Sequence, residues 1–340
     1  MSFQRVKITD VAEHAGVSVT TVSMVLRNKG RISPATQEKV QRSIELLGYV
    51  PNNSAANLRA SSSNMVGLIL RDITCPFYNE MTAGLSEVLE QHDMMLFLAQ
   101  CGDDGDRLIK CMQHMMQQGV AGIIFNPVRR LSDEQARLIR DIPVPLVCAA
   151  RAHYRDEFDS IGPDNAQAAR DATQHLIGKG HRHIAYVGGA GDSLSRAERI
   201  GGYCTSLMQY GLPFKNDWVV ECGRSRKEAA EAVKQLLHAH PKVTAILCHY
   251  PETAFGALYG IAQAGRTAGK DMYIGQQVAV VGFDDVPEAE LTSPALTFVS
   301  STGREIGRES ARRLMARLKD EKLTAERLIT KPVLVERHSA

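Results

Sequence analysis

The sequence predicts an α/β core of two doubly wound, parallel-sheet lobes preceded by an all-α helix-turn-helix headpiece. Three observations predict it. The first fifty residues carry apolar positions at helical spacing between recognisable caps. From Met65 onward, short and nearly continuous apolar runs alternate with helix-period segments, the pattern of strands buried on both faces of a parallel sheet. Near Asp164 that alternation starts again, which gives two lobes. A chain of 340 residues, 44% of them apolar, is long enough for more than one sizeable core.

Residues 8–26, ITDVAEHAGVSVTTVSMVL, read as two short helices joined by a tight turn. Thr9 is positioned to cap the first, whose apolar residues Ile8, Val11, Ala12 and Ala15 recur at helical spacing. Gly16 ends it where the chain must turn with a positive φ, and Ser18 caps a second helix that turns Val22, Val25 and Leu26 inward. In a helix-turn-helix the start of the second helix meets base edges in a major groove, here Val19, Thr20, Thr21 and Met24. The same nineteen residues also suit an ordinary amphipathic helix pair. Ser33 and Pro34 then open a third helix through Val40, Ile44 and Leu47 that stops at Gly48. Beyond Pro51, NNSAANLRASSS is helix-capable but too short to be stable alone in water.

DVAEHAGVSVTTVSMVL, GRISPATQEKV, LGYVPN and SAANLR, in this order and spacing, resemble the headpiece and hinge of the LacI/GalR family of bacterial transcription repressors. The resemblance implies a headpiece over 1–50, a hinge over 51–63 and a periplasmic-binding-protein-like core over 64–340. It also implies palindromic double-stranded operator DNA as a partner and a minor-groove wedge at Leu58. The candidate DNA contacts are then Val19, Thr20, Thr21 and Met24 at base edges, with Thr9, Ser18, Ser23, Asn28, Arg31 and Arg59 around them and Leu58 in the hinge. Many members carry Arg or His where this chain has Met24, so discrimination at that base pair rests on apolar contact, such as with a thymine methyl.

Charge placement agrees. Residues 1–60 hold eight Lys/Arg against four acids, whereas the remaining 280 hold 32 against 34, so the positive field belongs to the headpiece. The N-terminus lacks the apolar run of a signal peptide and no stretch reaches the length of a membrane span, so a cytoplasmic protein with no membrane partner is expected. The seven cysteines are scattered without a CxxC pair and read as reduced thiols.

In the core, strands are expected at MVGLIL, MMLFLA, AGIIF and VPLVCA, and then at HIAYVG, WVVEC, TAILC and VAVVGF, with helices between them. The family's three crossings between lobes imply lobe 1 over 64–163 and 294–323, and lobe 2 over 164–293 and 324–340. Ligands in open α/β sheets gather beyond the carboxyl ends of strands. That rule selects Asp72, Phe77, Tyr78, Gln100, Asn126 and Arg151 in lobe 1, and Ser193, Arg199, Cys222, Tyr250 and Asp284 in lobe 2. Carboxylates, an arginine and aromatic faces suit a small polyhydroxylated, sugar-like effector.

ITCPFY, GPDN, SRAERIGGY and VVGFDD resemble the family's ligand segments, and the resemblance carries over Phe77, Tyr78, Asp164, Arg199 and Asp284. Each also has a structural role open to it: Asp164 as a helix cap, Arg199 as a brace for its helix start. After TAILC the family offers an Asn-Asp pair where this chain has Tyr250 and Pro251, which points to a different ligand or a stacking contact.

An enzyme is not expected. GGAG at 188–191 lacks the GxGxxG register and no GK[ST] follows it, while GxSxG and HExxH are absent. No cofactor and no metal site is expected. A two-lobe binding protein for export would need a signal peptide and has no use for a headpiece. The expected assembly is a homodimer joined through apolar helix faces such as that of Met81, Leu85 and Leu89. Only four residues follow the strand-like 332–336, too few for a tetramerising coiled coil.

Overall fold

The computed structural model of the chain describes residues 6–26, 30, 32–49, 63–150, 158–271 and 276–340. They fall into two compact units, Met1–Ser63 and Asn64–Ala340.

The first unit is three helices, α1 (Ile8–Ala15), α2 (Val19–Leu26) and α3 (Pro34–Leu47), closed over Val11, Ala12, Ala15, Val22 and Val40. Gly16 takes φ 61° between α1 and α2, a left-handed conformation that a side chain would strain. Ser18 Oγ accepts the Thr21 N–H at 3.1 Å to start α2, and Ser33 Oγ accepts the Thr36 N–H at 3.3 Å to start α3, with Pro34 in its first turn. Thr9 does not cap α1. The helix begins at Ile8, so Thr9 lies inside it, and the Asp10 carboxylate accepts the Lys7 backbone N–H at 2.8 Å in the manner of a capping box.

The second unit is built on two sheets. The first joins β1 (Met65–Leu70), β2 (Met95–Gln100), β3 (Gly122–Phe125), β4 (Leu146–Ala149), β5 (Asp159–Pro163) and β12 (Arg327–Thr330) in the order β12-β5-β4-β3-β1-β2, all parallel. Its strands bury side chains on both faces with period 2. Val66, Leu68 and Leu70 face α4 (Pro76–Glu90) and α11 (Gly303–Lys319), while Ile69, Ile123 and Phe125 face α5 (Gly105–Gln117) and α6 (Asp133–Arg140).

The second sheet joins β6 (Ile184–Val187), β7 (Val219–Val220), β8 (Ala245–Cys248), β10 (Gln277–Phe283), β11 (Thr297–Ser300) and β13 (Val333–Val335) in the order β13-β11-β10-β8-β6-β7, with β9 (Thr267–Ala268) beside β10. It lies between α7 (Asn165–Gly178) with α8 (Leu194–Gln209) on one face and α9 (Arg226–Ala239) with α10 (Pro251–Gln263) on the other. No helix among the described residues is long and apolar enough to cross a membrane.

Three features differ from the sequence expectation. Residues 297–300 pair with β10 and so belong to the second sheet, and 327–330 pair with β5 and so belong to the first. The chain therefore crosses between lobes before α11 and again before β13. Strand β5, DSIGP, has too little apolar pattern to be read locally. Its Asp159 is fully buried because Arg313 and Arg317 from α11 each donate to its carboxylate at 2.6 Å. Finally, Met81, Leu85 and Leu89 are not a free helix face. They are 0%, 0% and 1% exposed, because α4 packs them on its own sheet and beneath α11. That crossing is so close that a Cβ on Gly84 would lie 1.9 Å from the Arg304 carbonyl oxygen, and one on Gly307 1.9 Å from that of Met81.

Candidate functional site

The carboxyl ends of both sheets face one cavity of about 110 Å³. From lobe 1 it receives Arg71, Cys75, Phe77 and Tyr78; from lobe 2, Ser195, Arg199, Arg224, His249, Tyr250 and Asp284; and from the start of α7, where the chain enters lobe 2, Asn165.

Arg199 organises the lobe 2 wall. It projects from α8, is 3% exposed, and its guanidinium stacks 4.4 Å over the Phe283 ring. Its Nε donates to Asn165 Oδ1 at 2.9 Å, its Nη1 to the His249 carbonyl at 2.8 Å, and its Nη2 to Asp284 at 3.2 and 3.3 Å and to Ser301 Oγ at 3.3 Å. One side chain thus ties together the ends of β8, β10 and β11 and the start of α7. Asp284 follows β10 with φ 67°, its N–H donating to the Val299 carbonyl at 3.0 Å, and its carboxylate also accepts the Ser301 hydroxyl. Behind it the Tyr186 hydroxyl lies 2.5 Å from His249 Nδ1, and burial pushes the Tyr186 phenol well above its usual range.

Such a wall presents a fixed carboxylate edge to the cleft. The lobe 1 wall is mainly aromatic, with Phe77 and Tyr78 edge-to-face at 5.5 Å. Arg224 spans the gap: Nη1 lies 3.3 Å from Asp72 in lobe 1, Nη2 lies 3.1 Å from Glu252 in lobe 2, and the guanidinium sits 5.0 Å over the Tyr250 ring. Burial opposes ionisation of Asp72, but bonds from Thr74 and the charge of Arg224 hold its carboxyl below the usual range. Away from the cavity, Arg129 of lobe 1 donates to Asp192 of lobe 2 at 2.8 Å.

Phe77, Tyr78, Arg199, Tyr250 and Asp284 therefore meet at the cavity. The other expected residues do not. Asp72 turns to Thr74 and Arg224. Gln100 accepts the Ile73 N–H at 3.3 Å and orders the loop instead. Asp164 caps α7 by accepting the Gln167 N–H at 2.8 Å, and lines a neighbouring cavity of about 180 Å³. Ser193, 3% exposed, sits 3.0 Å from Ser195 Oγ, and it is Ser195 that reaches the cleft. Asn126 is fully buried and donates to the Ala149 carbonyl at 2.7 Å. Cys222 packs against the lobe 2 core, where burial pushes its thiol up to about 11.

Arg151 lies outside the described residues. Missed from sequence were Arg71, Arg224, Asn165, His249 and Ser195. The strand-end rule comes within two residues of four of them, and Asn165 stands inside GPDN.

In the first unit Val19 and Met24 are 41% and 39% exposed, with Thr9, Ser18 and Thr20 also exposed and Thr21 and Ser23 half-buried. Val22 of the same helix is fully buried, so α2 turns Val22 to the three-helix core and leaves Val19, Thr20 and Met24 exposed. Asn28, Arg31, Leu58 and Arg59 lie outside the described residues.

Two family descriptions match the chain: "Bacterial regulatory proteins, lacI family" over residues 7–52, and "Periplasmic binding proteins and sugar binding domain of LacI family" over residues 63–337. The chain belongs to the LacI family. It is 44% identical to the maltose regulon regulatory protein MalI of Escherichia coli (strain K12) over 329 residues, 96% of each chain. Its fold is similar to that of the transcriptional regulator CelR–cellobiose complex, with a TM-score of 0.73, 29% identity, and 99% of this chain and 100% of that one covered. It is also similar to the lac repressor dimer bound to operator and the anti-inducer ONPF, with a TM-score of 0.85, 24% identity, and 99% of both chains covered. As a LacI-family member the chain is a DNA-binding transcriptional repressor with a ligand-binding core, and not an enzyme.

Proposed function

We propose that the chain is a cytoplasmic homodimer that holds a palindromic operator through α2 and the hinge, and that a sugar or sugar derivative in the interlobe cleft sets its grip on DNA. The observation that carries this reading is the Arg199–Asp284 pair, 3.2 Å apart on the cleft wall opposite Phe77 and Tyr78. A held carboxylate accepts ligand hydroxyls, and aromatic faces cover the C–H faces of a sugar ring. A relative of this fold is complexed with cellobiose, and another is named for the maltose regulon, which makes maltose the first sugar to test.

The cavity is small beside the roughly 300–1,000 Å³ usual for ligand sites, so a disaccharide enters only as the lobes part. Among the described residues, the ion pairs between lobes are Arg129 and Arg130 with Asp192 and Arg224 with Asp72, and these are the contacts it would rearrange. Ligand binding shifts the lobe angle, and with it the hinge segments of a dimer carrying Leu58 as a minor-groove wedge. The dimer surface proposed is the outer strand β2, whose Met95, Phe97 and Leu98 are 63%, 37% and 43% exposed, in place of the buried face of Met81.

Selection of DNA from a random pool by the purified chain, followed by binding titrations with and without maltose and other sugars, tests the reading. The expected result is a two-fold symmetric consensus whose affinity changes with one sugar class. A consensus without symmetry, or an affinity indifferent to every sugar, contradicts it.

A further inference from the structure

The three arginines of the cleft differ in how their charge is met. Arg199 is bonded through Nε and both Nη atoms, and Arg224 faces Asp72 and Glu252. Arg71, at the carboxyl end of β1, lines the cavity with its Nε and Nη1 buried from solvent and hydrogen-bonded to nothing among the described residues. Its ion-pair partner there is Asp103, 3.5 Å from Nη1, and Asp103 is already taken by Arg129, whose backbone N–H donates at 2.8 Å and whose guanidinium also bonds it. A guanidinium with two buried N–H-bearing nitrogens left unbonded is costly. A ligand hydroxyl can fill the bond but leaves the charge, whereas a phosphate or carboxylate meets both and matches the planar fork. Each of the cleft's own acids already faces a guanidinium: Asp284 that of Arg199, and Asp72 and Glu252 the one they share on Arg224.

We propose that Arg71 docks an anionic substituent of the ligand, so that the effector is a phosphorylated or carboxylated sugar and not a neutral one. This rests on the sugar-sensing reading above. The test is the melting temperature of the full chain and of Arg71→Met and Arg71→Lys, titrated with inorganic phosphate and with acetate against chloride at matched ionic strength. Glucose, glucose 6-phosphate and glucuronate follow as sugar probes.

Phosphate or acetate is expected to stabilise the wild-type chain beyond chloride, and which one does so separates the two anion classes. Arg71→Met is expected to lose that response, and Arg71→Lys, which keeps the charge but not the fork, to bind roughly tenfold more weakly. Should Arg71→Met fail to fold, the affinity of Arg71→Lys decides. No stabilisation beyond chloride, or an undiminished response in the variants, overturns the proposal. Anion protection through Arg71 with no response to any of the three sugars removes the sugar reading and leaves the anion site. Equal responses to glucose and glucose 6-phosphate, retained without Arg71, do the reverse.

Discussion

The two walls of the cleft are built on opposite plans. The lobe 2 wall is cross-linked before any ligand arrives: Arg199 joins four segments, and Asp284 is held by Arg199, Ser301 and its own backbone. On the lobe 1 wall stand two aromatic rings and an arginine whose Nε and Nη1 have no hydrogen bond among the described residues. A wall whose polar groups are satisfied can orient a ligand without reorganising, and a wall with unmet groups gains most when the ligand comes. On the reading proposed above, lobe 2 orients the ligand and Arg71 of lobe 1 takes up its anionic substituent.

The sharpest way to break this comparison is to remove one arginine from each wall. Arg199→Ala strands the Asp284 carboxylate and the bonds to Asn165 and Ser301, and is expected to destabilise the core by about 3–5 kcal/mol. Arg71→Met removes a charge that the unliganded protein barely satisfies, and is expected to cost nothing or to stabilise by up to ~1 kcal/mol. Denaturant unfolding of the two variants measures both; equal losses would erase the distinction between the walls.

Next in size is Tyr186→Phe, which deletes the hydroxyl behind His249 and is expected to cost ~1–2 kcal/mol in the same unfolding experiment. A neutral result would mean that the polar layer behind the lobe 2 wall does not support it.

The contrast extends to pH. His181 of lobe 2 is buried, and burial, with His175 and Arg182 nearby, pushes its imidazole down to about 4. The unfolded chain, whose histidine titrates near 6.5, takes up the proton first, so stability present at pH 7 is lost as pH falls from about 6.5 toward 4. Between pH 7 and 6 this amounts to less than ~1 kcal/mol. Melting curves of wild type and His181→Asn across that window should converge toward acid pH; parallel curves would remove His181 as the cause.

The smallest effect is expected between the walls. Asp192→Asn removes the partly exposed pairs of Asp192 with Arg129 and Arg130, for ~0.5 kcal/mol or less of stability. Its clearer signature is tighter ligand binding at low salt, as the lobes separate more freely. Unchanged affinity would show that the pairs do not restrain the cleft.

Much of this was legible in the sequence because it is local. Gly16, Ser18, Ser33 and Gly48 punctuate the headpiece as their chemistry requires, and apolar runs mark most strands of both sheets. What stayed hidden depends on distant partners. Strand β5 owes its buried Asp159 to arginines more than 150 residues away, and the lobe of 297–300 and of 327–330 follows from pairing that no local period encodes. In the cleft, Asp72 and Gln100 had the right chemistry at strand ends but are taken up by the loop after β1 and, for Asp72, by Arg224, while Arg71 and Arg224 gain their role from what faces them. Met81 and Leu85 show the same limit, since an apolar helix face cannot declare from sequence whether its own sheet or a second copy covers it.

The central claim is that the lobe 2 wall governs DNA binding through the ligand it holds. The direct measurement is operator affinity by fluorescence anisotropy, with and without the stabilising sugar, for wild type and Asp284→Asn. The sugar is expected to shift the wild-type affinity by about 5–150-fold, and Asp284→Asn, folded and DNA-competent, to show no shift. An Asp284→Asn chain that responds to the sugar as wild type does would contradict the claim.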